Sequence, residues 1–544
     1  MTKLHLFIFA LFFAFVSSAQ STSESYLVSY GQVWGFLKYF HPQPGKMNWD
    51  EQLLRDYDRV KSCTSQKEFN SIIDEIIWNC GDYKAKERNI KDYGLFTESM
   101  EWLDSENFSE KNKEAMRKLY LNKPKFANKY MKSSRSQVPH ARNEIKYWEA
   151  ETNEAVRYLA ITRYWNIINY YCPNRSIITK NWTDVYLEQL PHFTEATTAQ
   201  AFELAVIYLS NEIEDGHGYL KIDGQSAIRY KYLPFNCETL TEGTFLTFVS
   251  SDSSRMYNLE RLDKIISLDG LSIDDYWIEL DKRIPSSNFH DASNSNFNLI
   301  ETLKDSVSMT VERNGNLITE TLYSKENSRF TPKEYHPILV HRTGIYTDSI
   351  SDISYGYLDM GKLKQRDLTR SLKASLKTVD HLIINSRNYP NETIFALGRL
   401  LIKGKHHFAQ FRRMNIDFPG SYSYDDGVKI GGFRKGFSGK IYLLVNNRTI
   451  SQAEYTVMAL QQHPHAVTIG EQSAGADGDI TQIPIGNGIN TNFSGLGVLY
   501  PDGTDTQQAG VKIDIEVGRT FEDLKNLNDS SLNNALELIR NSKN

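Results

Sequence analysis

Gly439-Lys-Ile-Tyr-Leu-Leu-Val-Asn-Asn-Arg-Thr-Ile-Ser451-Gln-Ala-Glu454 is the stretch on which the fold turns. Ile441 to Val445 are β-formers, and polar turn residues follow them. Ser451 then opens a helical pattern that puts Ala453, Val457 and Leu460 on one face. A serine at the head of a helix leaving a strand has its hydroxyl at the edge of the sheet. Unpaired backbone N–H groups and the positive end of the helix dipole lie beside it. A nucleophilic serine needs that setting, because negative charge develops there during acyl transfer. An ordinary helix-capping serine fits the same spacing, since Ser is among the preferred N-caps.

Neighbouring segments choose between the two. Val467-Thr-Ile-Gly-Glu-Gln-Ser-Ala-Gly-Ala-Asp-Gly478 is a strand running into a glycine-rich loop, followed by Tyr500-Pro-Asp-Gly503 and Gln507-Gln-Ala-Gly-Val-Lys-Ile-Asp-Ile-Glu516. Upstream, Asp380-His-Leu-Ile-Ile-Asn-Ser-Arg-Asn-Tyr-Pro-Asn391 is a strand ending in a polar turn. In this order, over roughly residues 350–520, the segments resemble the tail-specific (C-terminal processing) proteases and the tricorn core. That family's pattern is a strand ending in Asp-Leu-Arg-x-Asn-x-Gly-Gly, then Ser-x-Ala-Glu, Gly-Glu-x-Thr-x-Gly and Gly-Ile-x-Pro-Asp. The resemblance implies a serine peptidase domain of the crotonase and Clp-protease superfamily.

The resemblance also implies a catalytic arrangement. Tail-specific proteases place a lysine in the loop after the nucleophile helix, where this chain has Ala476, which excludes a Ser-Lys dyad at that spacing. The tricorn type draws a histidine from the helical region, and Glu214-Asp-Gly-His217-Gly-Tyr-Leu220 supplies one. Imidazole is the usual base for serine because it titrates near neutrality. The expected pair is Ser451 and His217, with the backbone N–H groups of Gln452 and Asn391 as the oxyanion hole. Glu454, Asp477 and Gln507 are candidates for the supporting role. The chain departs from the family at Asn385 (Asp in the pattern), at Asn391 and Glu392 (both Gly), at Gly216 (Ser) and at Gln507 (Glu). Asn391 is the least costly replacement for glycine, since Asn tolerates left-handed backbone.

Composition agrees with an ordinary globular protein. The 544 residues are 40% hydrophobic and 24% charged, room for about two to four domains. A net charge of −5 without a basic stripe excludes nucleic acid as partner. Residues 1–19 have a basic end, an apolar core and small residues at Ser17 and Ala19, the pattern of a secretory signal cut after Ala19. The expectation is an extracytoplasmic protein, periplasmic or secreted, without a membrane span after cleavage. Cys63, Cys80, Cys172 and Cys237 are too few for a disulfide scaffold. Either Cys63 pairs with Cys80, worth about 3 kcal/mol in the chain-entropy account, or all four are free thiols.

The mature chain reads as a multidomain α+β protein in three parts. Residues 20–225 are helical with an internal repeat, its copies near 27–100 and 154–215. Val33-Trp-Gly-Phe-Leu-Lys-Tyr-Phe-His-Pro42 with Trp49 echoes Tyr164-Trp-Asn-Ile-Ile-Asn-Tyr-Tyr-Cys-Pro173 with Trp182. The aromatics read as core. Between the copies, 105–153, with Lys111, Lys113, Lys123 and Lys125 among acids, reads as a solvated helix and linker.

Residues 226–325 read as short strands, among them Gly243-Thr-Phe-Leu-Thr-Phe-Val249. Leu262-Asp-Lys-Ile-Ile-Ser-Leu-Asp-Gly270 resembles the PDZ pattern Gly-Asp-x-Ile-x-x-Ile-x-Gly with Leu262 in place of the first glycine. Asp305-Ser-Val-Ser-Met-Thr-Val-Glu-Arg-Asn-Gly315 closes in a hairpin turn. PDZ-like modules add a peptide as a strand. Residues 326–544 alternate strands (Ile353–Leu358, His381–Asn385, Ile441–Val445, Ala466–Ile469) with helices (Asp367–Thr378, Thr393–Lys403, Gln452–Gln462), a sheet covered by helices. Phe521 through Ile539 reads as one final amphipathic helix.

No zinc motif, phosphate loop or dinucleotide fingerprint occurs. His406 and His407 would point apart on a strand, and His463-Pro-His465 lacks a further ligand nearby. No cofactor and no metal are expected. The expected function is peptide-bond hydrolysis on a peptide or protein substrate through an acyl-enzyme. The alternative is a catalytically inactive peptide- or small-ligand-binding protein on the same scaffold. Cleavage preference, endo- or exopeptidase action and oligomeric state are not legible in the sequence.

Overall fold

Strand Lys440–Val445 lies inside a six-stranded sheet whose order is Gly344–Thr347, Ser354–Asp359, His381–Asn385, Lys440–Val445, Ala466–Gly470, Ile515–Glu516. Only the first pair is antiparallel. Parallel strands are covered on both faces, which explains their unbroken apolar runs. Side chains alternate across the sheet. Leu382, Ile384, Ile441, Leu443 and Val445 face helices Ile394–Leu401 and Gln452–Leu460. Ile383, Tyr442, Leu444 and Ile469 face helix Ser530–Arg540 through Leu532, Ala535 and Ile539. The computed structural model describes residues 22–42, 47–84, 94–122, 128–249, 256–288, 301–326, 341–432 and 435–543. The signal-like segment 1–19, Lys123 and Lys125 lie outside them.

The four expected strands of this region agree with the structure to within a residue or two. Two helices do not. The expected helix Asp367–Thr378 is broken into a 3-10 turn at Gln365–Asp367, a helix at Arg370–Ser375 and a second 3-10 turn at Leu376–Thr378. Thr369 caps the middle piece, its hydroxyl accepting from the N–H of Leu372 at 3.2 Å. The expected single C-terminal helix is two, Phe521–Asn526 and Ser530–Arg540. Leu527 turns the chain left-handed (φ 61°), and Asp529 caps the second helix through the N–H of Leu532 at 3.1 Å.

The segment 226–325 holds a second sheet, ordered Asn316–Tyr323, Ser306–Arg313, Lys264–Leu268, Gly243–Val249, Phe235–Leu240, with helix Ile273–Asp281 against it. Asn314 and Gly315 both have positive φ (52° and 79°), the two-residue hairpin turn that suits strand twist. Leu262, where a glycine stands in the pattern, adopts φ 78°, which costs a non-glycine residue on the order of 1 kcal/mol. Its N–H is held by Leu246 O at 2.7 Å, and the adjacent Asp263 is gripped by Arg313 through two bonds of 2.7 Å.

Helices at residues 22–40, Trp49–Lys61, Gln66–Asn79, Glu110–Asn122, Glu154–Tyr171, Trp182–Thr194 and Ala199–Asn211 build the N-terminal part. Glu154–Tyr171 is buried on every side, as a central helix must be. Gly31 and Gly35 let helix 22–40 lie close against it: a Cβ on Gly35 would stand 2.0 Å from the side chain of Asn166. Both copies of the aromatic motif make the same bond. Trp34 Nε1 donates to Trp49 O at 2.6 Å, and Trp165 Nε1 to Trp182 O at 2.6 Å. The motif aromatics are core.

Glu144, in the stretch expected to be a solvated linker, is instead buried in a four-charge box. Lys38 Nζ lies 3.2 Å from Asp50 and 2.7 Å from Glu144, and Arg163 lies 2.9 Å from Asp50 and 3.0 Å from Glu144. Composition could not show this, because local polarity says nothing about long-range partners. Arg163 Nη1 also reaches Pro484 O at 3.1 Å, joining the helices to hairpin Ile480–Gly486/Ile489–Ser494.

Among the described residues the four cysteines are free, with Cys80, Cys172 and Cys237 buried. Among them too, no helix is long and apolar enough to cross a membrane. Two anions and two cations balance in the box, so removing one leaves an uncompensated buried charge. Glu144→Ala is expected to cost about 3–5 kcal/mol, read as a lowered urea midpoint; a midpoint equal to that of the unaltered protein would refute the box.

Candidate active site

The turn after strand Lys440–Val445 is fixed before the helix begins. Asn446 N–H donates to Thr449 Oγ1 at 3.1 Å, Arg448 N–H to Asn446 Oδ1 at 3.0 Å, and Thr449 Oγ1 to Ser386 O at 3.0 Å. Ser451 follows with φ 57° and ψ −124°. An ordinary N-cap is extended, as Thr198 is here at φ −127° and ψ 154°. A serine in this sparsely populated region is strained by about 1–3 kcal/mol and persists only where its surroundings hold it. They do: its N–H is shared between Ala476 O at 3.0 Å and Glu454 Oε2 at 3.1 Å. The N–H groups of Gln452 and Asn391 have no acceptor among the described residues.

Glu454 is fully buried beneath the loop 473–476. Its carboxylate accepts from Ser473 Oγ at 2.6 Å, Gly475 N–H at 2.8 Å, Ala476 N–H at 3.1 Å and Ser451 N–H at 3.1 Å. Burial pushes its pKa up to about 7 against the downward pull of these bonds. Gly475, at φ 69°, is required for the loop to fit, since a Cβ there would meet the Gln508 backbone at 2.7 Å. Asp477 is buried next to it, held well above the usual carboxylate range by burial and then by the Glu454 charge. Its Oδ1 accepts from Gly478 N–H at 2.8 Å, while Oδ2 has no partner among the described residues.

His217 lies in the turn after helix Ala199–Asn211 and is 8% exposed. Its Nδ1 is 2.9 Å from Ser494 Oγ, and Ser494 Oγ donates to Asp215 Oδ1 at 2.9 Å. Asp215 also takes the N–H of Ser494 at 2.6 Å and that of His217 at 3.0 Å. Nε2 has no hydrogen-bond partner among the described residues. The turn is attached to the hairpin because strand Leu220–Ile222 pairs with strand Ile489–Ser494. Sequence reasoning missed Asp215 and Ser494. Asp215 stood in the quoted motif without a role, and Ser494 gives no signal, since it reads as the end of a strand.

Among the described residues Gln507 makes no hydrogen bond to the imidazole or to Ser451. Its amide donates to Ser287 Oγ at 3.2 Å, and that hydroxyl accepts from Gly216 N–H at 2.8 Å. The neighbouring Asn288 amide contacts the carbonyls of Ser473, Ala474 and Gln508 at 3.1, 2.9 and 2.8 Å. Ser287 and Asn288 therefore tie the His217 turn to the loop over Glu454. Among the described residues no hydrogen bond joins the Ser451 and His217 side chains directly.

The turn bearing Asn391 is held from three sides. Asn385 Oδ1 accepts from Arg387 Nε at 2.9 Å, and Arg387 makes a two-bond pair with Asp529, both at 2.7 Å. Asn388 bonds Asp359 Oδ1 and Gly361 N–H, each at 2.7 Å, and Asn391 Nδ2 donates to Gly361 O at 2.8 Å. The left-handed residue of this turn is Glu392 (φ 49°) rather than Asn391. Among the described residues no cluster of His, Cys, Asp and Glu could hold a metal ion.

Residues 355–517 match the family model described as Peptidase family S41. They contain the sheet strands from His381 to Glu516 together with Ser451, Glu454, Asp477 and Gln507. No match is found among curated protein sequences. Among solved structures, mature CPAF is similar at 13% identity and a TM-score of 0.54, over 71% of this chain and 97% of that one. CPAF complexed with lactacystin gives 12% identity and a TM-score of 0.53 over 71% and 98%. A putative peptidase from Parabacteroides merdae gives 14% identity and a TM-score of 0.42 over 71% and 96%. The likeness to CPAF, at TM-scores of 0.53 and 0.54, speaks for the fold alone, and the family match is confined to 355–517. Residues 355–517 are thus a serine-type peptidase region of the S41 kind.

The raised pKa of Glu454 has a signed consequence for stability. Its folded-state pKa is about 7 against a usual 4.5. Folding therefore favours the protonated form, and the contribution is complete at low pH and lost as pH rises through that window. The loss is roughly 3 kcal/mol. Urea melts of the unaltered protein and Glu454→Gln should show their stability difference shrinking by this amount from low pH to neutrality. A pH-independent difference would contradict it.

Proposed function

We propose that peptide bonds are cleaved through an acyl-enzyme on Ser451, with His217 as general base and acid. The backbone of Ser451 carries this reading: a residue needed only as a cap has no reason to hold φ 57°, ψ −124°. That geometry is the one expected of a hydroxyl raised on a tight strand-to-helix turn. Two further features support it. The Gln452 and Asn391 N–H groups are without acceptors among the described residues, and the His217 ring is anchored through one nitrogen with the other unengaged.

The steps follow from those roles. Ser451 Oγ attacks the scissile carbonyl carbon while its proton passes to His217 Nε2. The carbonyl oxygen becomes an oxyanion and receives the N–H groups of Gln452 and Asn391. Collapse expels the amine, which takes the proton from His217 and leaves an ester on Ser451. Water then attacks the ester, His217 accepts its proton, and the acid product departs as the proton returns to Ser451. The Ser451–His217 hydrogen bond, absent among the described residues, forms on this reading when substrate binds.

The reading extends to the whole chain. Residues 20–225, 226–325 and 326–544 act as a helical domain, a PDZ-like domain and a crotonase/Clp-protease-like peptidase domain. Apolar cores around Trp165, Ile265 and Leu443 support three units, with the first also taking in Phe418, Ile483, Ile485, Ile489 and Phe493 from the last segment. The PDZ-like sheet presents peptide to the site by strand addition, and the leader-like segment 1–19 directs the chain out of the cytoplasm.

A fluorophosphonate probe tests the site directly. Labelling is expected on Ser451, to vanish in Ser451→Ala and to slow by about 10²- to 10⁴-fold in His217→Ala. Absence of labelling in the folded, unaltered chain would favour a binding protein on this scaffold.

A further inference from the structure

We propose that Asp215 and Ser494 are positioning residues that fix the tautomer of His217 and supply the negative charge its protonated form requires. The proposal rests on the Ser451–His217 reading and adds to it the device that makes the imidazole a base on the correct nitrogen.

The direction of each bond can be worked out from proton inventory. A carboxylate offers acceptors only, and a serine hydroxyl has one proton. Asp215 receives three donors, the N–H of His217 at 3.0 Å, the N–H of Ser494 at 2.6 Å and the hydroxyl of Ser494 at 2.9 Å. The Ser494 proton is thus spent on Asp215 Oδ1, and Ser494 Oγ can only accept across its 2.9 Å contact with Nδ1. Nδ1 must carry the ring proton. In neutral imidazole the other nitrogen is then an acceptor, so Nε2 holds the lone pair that removes the Ser451 proton.

The same geometry serves the charged state. Once Nε2 is protonated, both ring nitrogens are donors, and Ser494 Oγ still accepts from Nδ1 without rearrangement. Asp215 Oδ1 is 3.7 Å from Nδ1, and Asp215 is 3% exposed, so its charge is little screened and favours the imidazolium. No proton moves onto Asp215 at any step; it acts by charge and orientation. Tyr164 and Cys172, which also feel the Asp215 charge, are kept neutral by burial, Cys172 with its pKa pushed up to about 12.

Gln507 does not compete for this part. Among the described residues its hydrogen bonds reach the His217 turn through Ser287 and the backbone N–H of Gly216, and an amide brings no charge. The glutamate that the family pattern has at position 507 is replaced in function by an aspartate two residues before the histidine.

Three measurements decide the matter. In ¹⁵N-histidine spectra of the unaltered protein, the resonance lost in His217→Ala should show Nδ1 protonated and Nε2 unprotonated in the neutral ring. Asp215→Asn and Ser494→Ala should each slow fluorophosphonate labelling of Ser451 by about 10²-fold or more. Asp215→Asn should in addition move the acid limb of the labelling profile to lower pH, a displacement that loss of packing alone does not produce. The proposal is overturned if the neutral ring carries its proton on Nε2. It is equally overturned if both variants label within about threefold of the unaltered protein on an unchanged pH profile while His217→Ala remains slow. Unaltered labelling in His217→Ala is a different failure, since it removes the reading beneath the proposal. If neither variant folds, the spectrum of the unaltered protein still gives the answer.

Discussion

Glu454 is the constraint from which the candidate site is built. One buried carboxylate collects four donors, one from the residue that opens the helix and three from a loop that follows a later strand. Buried carboxylates are tolerated only when their acceptors are filled. Satisfying Glu454 therefore fixes the Ser451 backbone and the 473–476 loop relative to one another. The strained serine conformation persists because releasing it would leave a buried acceptor short of a partner. Asp477, beside this carboxylate and short of a partner on one oxygen, is pushed toward its neutral form by the same crowding.

Ties of the same kind join parts of the chain that lie far apart in sequence. Ser287 and Asn288 connect the His217 turn to the loop over Glu454. Arg163 connects the four-charge box to the hairpin that ends in Ser494. Arg387 and Asp529 lock the turn bearing Asn391 to the final helix. Asn288, Arg163 and Arg387 are amide or charged groups held by backbone carbonyls or an opposite charge, and Ser287 is a hydroxyl that accepts from the Gly216 N–H. Such groups fix geometry more than they add net stability, because desolvation offsets most of the attraction.

Departures from the family pattern acquire a physical meaning in this setting. Ala476 has no base to offer, yet its carbonyl accepts the Ser451 N–H and its own N–H feeds Glu454. Asn385 keeps the acceptor that orients Arg387 although it has lost the charge of aspartate. Glu392 takes the left-handed position of a missing glycine on an exposed turn, where the penalty is local and no core packing is disturbed.

The sequence by itself determined the alternation of strands and helices in the C-terminal part, the hairpin at Asn314-Gly315, the aromatic repeat as core, and Ser451 and His217 as residues to watch. The first three follow from period, turn chemistry or local motif, which act over a few residues, whereas Ser451 and His217 follow from the resemblance to the tail-specific and tricorn proteases. It did not determine the break at Thr369 or the split at Leu527, because a cap or a single left-handed residue competes with helical period on nearly equal terms. It gave no hint of Glu144 in a buried box, of Ser494 against His217, or of Glu392 as the left-handed member of its turn. Those depend on partners up to 277 positions away. Only the tertiary structure brings such groups within hydrogen-bond reach, and only there does burial turn a polar side chain into one that must be satisfied.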